Sequence, residues 1–205
     1  LMSIMGGVKT AALEKKMNQD ASLGLAIVVG VLPAMVVGVL FHEFIETNFR
    51  SAWIIACSTV VFGLVLWAAD HQGKRTLVIQ EMNLSRALVI GCAQALALIP
   101  GTSRSGITIT AALFLGFDRI AAARFSMLLS IPIIIAAAML ESYKVFVSGV
   151  SGQWGVLLTG ALVAAISAYL CIHYFLRFLE KVGMLPFVIY RLLLGLFLFV
   201  FLGFY

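Results

Sequence analysis

The residues best suited to chemistry in this sequence lie together at positions 100–106, inside the run QALALIPGTSRSGITIT. Arg104 stands amid apolar residues, and an arginine placed in hydrocarbon costs at least about 2.5–3.5 kcal/mol, so its side chain should face a polar interior and bind something. The Pro-Gly pair breaks a helix and leaves backbone N–H groups that lipid cannot satisfy. This pattern predicts a buried or water-lined anion site.

Phosphate is the anion that the motif suits best. A guanidinium offers fixed donors that match phosphate oxygens bidentately. A helix predicted to begin near Ile107 would point free N–H groups and the positive end of its dipole at the same place. Hydroxyl donors are supplied by Thr102, Ser103, Ser105 and Thr108. The alternative is that these hydroxyls only cap the helix while Arg104 pairs with a buried carboxylate.

Two other phosphate motifs are disfavoured. The run GTSRSG lacks the lysine of a P-loop and does not follow a soluble strand. Lipid phosphatases of the phosphatidic acid type place a His soon after their Ser-Arg pair, and no His occurs in the following run SGITITAALFLGF.

The composition is that of an integral membrane protein. Hydrophobic residues make up 62% of the 205 residues and charged residues 11%, against about 25% charged in soluble domains. The net charge of +5 is distributed over short loops between apolar runs, so membrane topology explains it better than nucleic-acid binding. The three cysteines lie in apolar runs without metal-ligand spacing and are interpreted as core residues.

Apolar segments long enough to cross a hydrocarbon layer of about 30 Å determine the predicted topology. We expect residues 1–21 to be a loop or the tail of a helix. The predicted spans are 22–41, 52–69, 121–140, 154–174 and 187–204. The intervening segments 87–99 and 107–117 flank the 100–106 break, and each is too short to cross alone. They form either one broken crossing helix or a re-entrant hairpin.

Charge asymmetry favours the re-entrant hairpin. A crossing helix would divide the cations about evenly, whereas a hairpin leaves only Arg50 and Lys144 on one face. The cations on the other face are then Lys9, Lys15, Lys16, Lys74, Arg75, Arg86, Arg119, Arg124, Arg177, Lys181 and Arg191. We therefore predict an all-α integral membrane protein with five transmembrane helices and one re-entrant hairpin at 87–117, its basic face in the cytoplasm.

The topology also predicts an inverted repeat within a single membrane domain, 1–205. The first two spans would correspond to the last two with opposite orientation, and Gly30 aligns with Gly160 at a constant offset of 130 residues. Inverted repeats bring broken helices together near the membrane midplane. We expect residues 1–85 to be the remainder of a first repeat and 86–205 to be the second.

The run QALALIPGTSRSGITIT closely resembles the second signature of the undecaprenyl-diphosphate phosphatases, the bacitracin-resistance family of bacterial inner-membrane enzymes. The segments VLPAMVVGVLF, FSMLLSIPIII and PFVIYR resemble other parts of the family, so the resemblance covers essentially the whole chain. It implies hydrolysis of undecaprenyl diphosphate to undecaprenyl phosphate, which recycles the lipid carrier for cell-wall synthesis.

Carried over residue by residue, Arg104 matches the phosphate-binding arginine, and Ser103 and Ser105 match its flanking serines. These three are the predicted catalytic residues. The predicted substrate contacts are Thr102, Gly106, Thr108 and Gln94.

The family's first signature, a Glu-rich helix followed by a Pro-Ser-Ser-Thr-Gly-His run, has no counterpart here, and Glu14 lies in a lysine-rich segment. The resemblance implies a divalent cation, Mg or Ca, so we expect its ligands upstream of Leu1 and none in this chain. Glu43, Glu46, Glu81 and Glu141 are predicted to lie in loops and to be solvated or ion-paired. Arg191 is predicted to snorkel to the cytoplasmic interface.

The resemblance further implies a polyprenyl diphosphate lipid and the bilayer as partners, no nucleic acid, and a homodimer as one option. The protein would be a multi-pass protein of the bacterial inner membrane, with its site open to the outer side. Two alternatives stay open. One is a secondary transporter for a small anion, because inverted repeats and broken helices occur there too, and the other is an inactive fragment of the phosphatase.

Overall fold

The protein is a bundle of apolar helices. The computed structural model describes residues 2–147 and 154–203. Its helices are α1 Met2–Asn48, α2 Ala52–Gln72, α3 Leu84–Ala95, α4 Arg104–Phe114, α5 Arg119–Val147, α6 Trp154–Val182 and α7 Leu185–Gly203. Five of them, α1, α2, α5, α6 and α7, are long and apolar enough to cross a membrane. The predicted all-α membrane fold is confirmed.

The first helix is longer than its membrane span. Residues 2–48 are continuous helix, although only Asn18–Phe41 has the hydropathy of a span. Residues 1–21 were predicted as a loop or a helix tail, and the helix tail is correct for the described part. The predicted loop at 42–51 is wrong for most of its length, because FHEFIETN contains neither Gly nor Pro to stop the helix. The loop expected between the spans 121–140 and 154–174 is wrong at residues 141–147, which continue α5, whereas residues 148–153 and residue 204 of the last predicted span lie outside the described residues.

Helices α3 and α4 form the hairpin. With 12 and 11 residues they are about 18 and 17 Å long, well short of a hydrocarbon layer of about 30 Å. The chain enters and leaves the pair at one place: the Leu77 N–H donates to the Gly116 carbonyl at 2.9 Å, and the Asp118 N–H donates to the Leu77 carbonyl at 2.9 Å. A crossing helix could not bring these ends together, so the re-entrant prediction is confirmed.

The base of the hairpin is anchored by an ion-pair cluster. The Arg119 guanidinium, at the start of α5, binds both carboxylate oxygens of Asp70 near the end of α2, at 2.6 and 2.8 Å. Arg75 adds a contact to the same carboxylate at 3.3 Å. Arg86 lies over the Phe117 ring, 5.7 Å from its centroid. The end of α2, the hairpin base and the start of α5 therefore share one end of the bundle.

The hairpin packs between two helix pairs. Helix α3 lies against α1, while α4 contacts α2 and α5, and α2 packs along α7. The α1–α3 crossing is close, because a Cβ on Gly91 would overlap the backbone of Gly30. By contrast, no atom lies within 4 Å of a Cβ built on Gly160 in α6. Leu179, near the C-terminal end of α6, is the buried residue of that helix among residues 155–182. The assignment of two repeats stays a prediction.

Candidate functional site

The site is built on the hairpin tip, residues 99–106, where α3 ends and α4 begins. The Thr102 N–H donates to the Ile99 carbonyl at 3.2 Å, which turns the chain. Gly101 then has φ +90° and Ser103 φ +68°. The Ser103 Oγ accepts the Gly106 N–H at 3.3 Å, as an N-cap side chain does. Helix α4 therefore begins at Arg104, three residues before the predicted start, because Ser103 caps it.

Helix α2 holds the first carbonyls of the tip. The Ser58 hydroxyl donates to the Pro100 carbonyl at 2.5 Å, and the Thr59 hydroxyl, which donates to the Ile55 carbonyl at 2.7 Å, lies 3.3 Å from the Gly101 carbonyl. Residue 101 must be glycine, since a Cβ there would overlap the Ser58 Oγ and the Ile55 carbonyl and φ is positive. The tip is thus seated directly on α2.

Arg191 of α7 holds the following carbonyls. The prediction that it snorkels to the interface is wrong: the residue is 8% exposed, and its guanidinium donates to the carbonyls of Gly101 and Thr102, both at 2.7 Å. It lies seven residues into α7, about 10 Å along the helix axis. At that depth the tip carbonyls are within reach of the side chain, and they take the place of interfacial water.

Arg104 lies on the opposite side of the α4 N-terminus. Its side chain is exposed, and among the described residues its guanidinium has no hydrogen-bond or ion-pair partner. It borders a cavity of about 240 Å³ together with Gln94 of α3, Met35 of α1 and Ile133 of α5. The alternative in which Arg104 pairs with a buried carboxylate is not seen among the described residues, where the buried Asp70 pairs with Arg119 and Arg75 instead.

The serines face a different cavity. Ser103, Ser105 and Gly106 border a space of about 520 Å³ that Arg191 also lines, and the rest of its wall is largely apolar. The apolar residues come mainly from α2, α4 and α7, including Ile55, Leu66, Ile109, Phe187 and Leu194. The three predicted catalytic residues are therefore adjacent in sequence but divided between the two sides of the α4 N-terminus.

Comparison with known proteins identifies the family. The family described as bacitracin resistance protein BacA matches residues 1–197. The chain belongs to this family. It is 51% identical to an undecaprenyl-diphosphatase of Alcanivorax borkumensis over 95% of this chain and 74% of that protein. An undecaprenyl-diphosphatase of Chromohalobacter salexigens is 55% identical over 88% of this chain and 68% of its own length. The resemblance found in the sequence is confirmed.

Two of the predicted substrate contacts in this family member carry unsatisfied polar atoms. Gln94 and Thr102 are almost completely buried, at 2% and 0% exposure. The Gln94 Nε2 and the Thr102 Oγ1 have no hydrogen-bond partner. Buried polar groups are normally paired with protein or water, so a water molecule or a ligand atom would complete each site.

Thr108 differs from these two because its hydroxyl is already bonded. Its Oγ1 lies 2.7 Å from the Ser126 Oγ of α5 and donates to the Arg104 carbonyl at 3.0 Å. The side chain joins α4 to α5 below the tip. Its role as a substrate contact stays a prediction, as do the roles of Gln94, Thr102 and Gly106.

The described residues do not fit a divalent cation. They contain no group of three or more His, Cys, Asp or Glu side chains that could hold a metal ion. Asp70, a buried carboxylate, is occupied by Arg119 and Arg75 at the hairpin base.

Proposed function

We propose that this BacA family member hydrolyses undecaprenyl diphosphate to undecaprenyl phosphate and phosphate, which returns the lipid carrier to cell-wall synthesis and confers resistance to bacitracin. The observation that carries the proposal is the exposed guanidinium of Arg104 at the N-terminus of α4, left without a protein partner among the described residues. The relatives named undecaprenyl-diphosphatase supply the substrate class.

In the proposed reaction, water attacks the terminal phosphorus and the bond from that phosphorus to the bridging oxygen breaks. Undecaprenyl phosphate leaves with the bridging oxygen, and the released phosphate keeps the oxygen of water. Negative charge is spread over the phosphoryl oxygens during the transfer. Hydrogen-bond donors of this chain stabilise that negative charge. None of its residues is assigned as the base that receives the proton of the attacking water.

Three kinds of donor converge on the diphosphate in this proposal. Arg104 offers a bidentate fork. The N–H groups of Arg104 and Ser105 begin α4 and have no carbonyl within the helix to bond to, and the helix dipole adds positive potential there. The hydroxyls of Ser103 and Ser105 lie beside these N–H groups and border the cavity of about 520 Å³. A diphosphate with two phosphoryl groups can engage both sides of this N-terminus at once.

The apolar cavity next to the serines suits the prenyl tail of the same lipid. Its wall is mostly hydrocarbon, and the two serines form the polar end, beside Arg191, whose guanidinium is bonded to the tip carbonyls. A chain bearing a diphosphate has the same division into an apolar body and an anionic head. The proposed pose places the first isoprene units in this cavity and the head at the tip.

We propose a multi-pass location in the bacterial inner membrane with the site open to the outer side. Without Arg191 the predicted cytoplasmic face keeps ten cations, and cytoplasmic loops are rich in Lys and Arg. The tip then opens away from the cytoplasm. A homodimer, the absence of nucleic-acid binding and a bound Mg or Ca ion stay predictions.

The experiment measures phosphate release from undecaprenyl diphosphate by the purified chain, beside a version extended at its N-terminus to the length of its relatives. Undecaprenyl phosphate serves as the control substrate and should not be cleaved. Release only by the extended version would place further catalytic groups in the added segment. Release by neither version, together with anion uptake into vesicles that contain the protein, would overturn the proposal in favour of a transporter.

A further inference from the structure

Arg191 is the second arginine at the tip, and its contacts differ in kind from those of Arg104. Its two strong hydrogen bonds go to consecutive backbone carbonyls, Gly101 and Thr102, at 2.7 Å each. Two longer bonds of 3.4 Å reach the Thr59 carbonyl on α2. A guanidinium whose N–H groups are hydrogen-bonded to carbonyls fixes the backbone rather than binding an anion.

The backbone that Arg191 fixes leads directly into a strained residue. Ser103 has φ +68° and ψ 115°, outside the regions that L-residues favour. Such a conformation is unfavourable and persists only where its surroundings hold it. Arg191 holds the peptide before Ser103. The Ile107 N–H holds the Ser103 carbonyl on the other side at 3.0 Å, so the residue is clamped at both ends.

The hydrogen bonds from Arg191 to the Gly101 and Thr102 carbonyls, here called the clamp, also set the direction of the N–H groups at the tip. In a planar trans peptide the carbonyl and the next N–H point in opposite directions. Because the Thr102 carbonyl faces Arg191, the Ser103 N–H faces away from it. A rotation of this peptide would redirect the Ser103 N–H and displace the start of α4, where Arg104 is attached.

The local sequence leaves room for the clamp. A Cβ on Gly106 would lie 2.9 Å from the Arg191 Nη1, so a larger residue there would push the guanidinium off its carbonyls. A Cβ on Gly63 of α2 would lie 3.3 Å from the Arg191 Cβ. Because neither glycine has a side chain, the Arg191 side chain has space to extend from α7 to the tip.

We infer that Arg191 is a positioning residue: by clamping the Gly101 and Thr102 carbonyls it holds Ser103, and with it the phosphate-binding end of α4, in the active geometry. This inference rests on the proposed function. It assigns Arg191 no contact with the substrate. Lysine is a poor substitute, because one ammonium lacks the rigid fork that reaches two carbonyls at fixed spacing.

The first test is kinetic and uses Arg191→Lys and Arg191→Gln in a chain that releases phosphate. Small misplacement of a catalytic group can cost about 100-fold in rate, so we expect kcat to fall about 10- to 100-fold, with Lys less impaired than Gln. KM should change by less than about threefold, because binding groups are retained. A rise in KM with unchanged kcat would overturn the inference and make Arg191 a direct substrate contact.

The second test does not depend on activity. A spin label at Ser105→Cys, with Cys57, Cys92 and Cys171 replaced by serine, reports the mobility of the tip. We expect Arg191→Gln to increase that mobility, whereas Arg104→Ala, the matched control, should leave it unchanged. An immobile tip in the Arg191→Gln variant would overturn the inference.

Gly106→Ala covers the case in which Arg191→Gln does not fold. It keeps the arginine but displaces its guanidinium, so it should give the same fall in kcat and the same rise in label mobility. If Gly106→Ala left both unchanged, the clamp would not position the tip. If the unsubstituted chain and its extended version released no phosphate, the proposed function would be wrong, and the label mobility alone would decide whether Arg191 holds the tip.

Discussion

The two sides of the α4 N-terminus use their arginines in opposite ways. On the side facing α2 and α7, Arg191 is buried and its donors are bound to the carbonyls of Gly101 and Thr102. On the side facing α1 and α5, Arg104 is exposed and has no bonded partner among the described residues. Arg191 therefore stabilises the loop, whereas Arg104 is available to bind an anion.

This difference shows how a membrane protein can keep a strained loop in an apolar environment. A broken helix exposes carbonyls and N–H groups that lipid cannot satisfy. Here Ser58 binds the Pro100 carbonyl and Arg191 binds the Gly101 and Thr102 carbonyls, so the groups left over at the tip are mainly donors. A tip whose acceptors are bound and whose donors are free is selective for anions.

The largest expected effect comes from removing the available arginine. Arg104→Ala should lower phosphate release about 100- to 1000-fold, the loss typical of one donor to a developing oxyanion. Folding should be retained, because the side chain is exposed and makes no bond to the described residues. The measurements are the rate of phosphate release and the melting temperature in detergent.

Arg177→Ala, on the exposed surface of α6, is the matched control and should leave both the rate and the melting temperature unchanged. Normal hydrolysis by Arg104→Ala would contradict the assignment of the site.

The next largest effect is a loss of stability where the tip packs against α2. Gly101→Ala should destabilise the protein by about 2 kcal/mol or more, since a non-glycine residue at positive φ costs about 1–2 kcal/mol and its Cβ would overlap the Ile55 carbonyl of α2. Gly24→Ala is the control, because nothing lies within 4 Å of its Cβ, and it should stabilise α1 by about 0.5–1 kcal/mol. Equal melting temperatures for the two variants would show that the tip is not seated as described.

The hairpin could be predicted from sequence because the bilayer imposes a length. Segments 87–99 and 107–117 are each too short to cross, and the charge asymmetry then selected the re-entrant path. The extension of α1 through residues 42–48 was missed, since a helix leaving the bilayer carries no hydropathy signal. The start of α4 was misplaced by three residues because several hydroxyl residues in the run could each serve as the cap.

Arg191 could not have been found from its own sequence context. An arginine near the start of an apolar helix is equally compatible with snorkelling to the interface and with bonding to a buried loop. Its partners are backbone carbonyls, which every residue possesses, so no residue type marks them. The motif around Arg104 identified the anion-binding end, but the residue that holds it is 87 positions further along the chain.

A smaller effect tests the Arg104 side of the tip. Gln94→Met keeps the side-chain volume and removes a buried Nε2 that has no partner, so stability should be unchanged or slightly raised. If the amide contacts the diphosphate, phosphate release should fall about tenfold, because a hydrogen bond to a charged group contributes about 1.5–3 kcal/mol. Gln80→Met, at an exposed position, should change neither quantity. An unaltered rate in Gln94→Met would remove Gln94 from the substrate contacts.

The smallest effect on activity is expected at Thr108, which separates support of the tip from binding of the substrate. Thr108→Val loses the bonds to the Ser126 hydroxyl and the Arg104 carbonyl, which should cost about 1 kcal/mol in stability and change phosphate release less than about twofold. Thr159→Val, on the exposed face of α6, should change neither. A tenfold loss of activity at unchanged stability would mean that the Thr108 hydroxyl leaves Ser126 to contact the diphosphate. The tip could then not be divided into residues that support its structure and residues that bind the substrate.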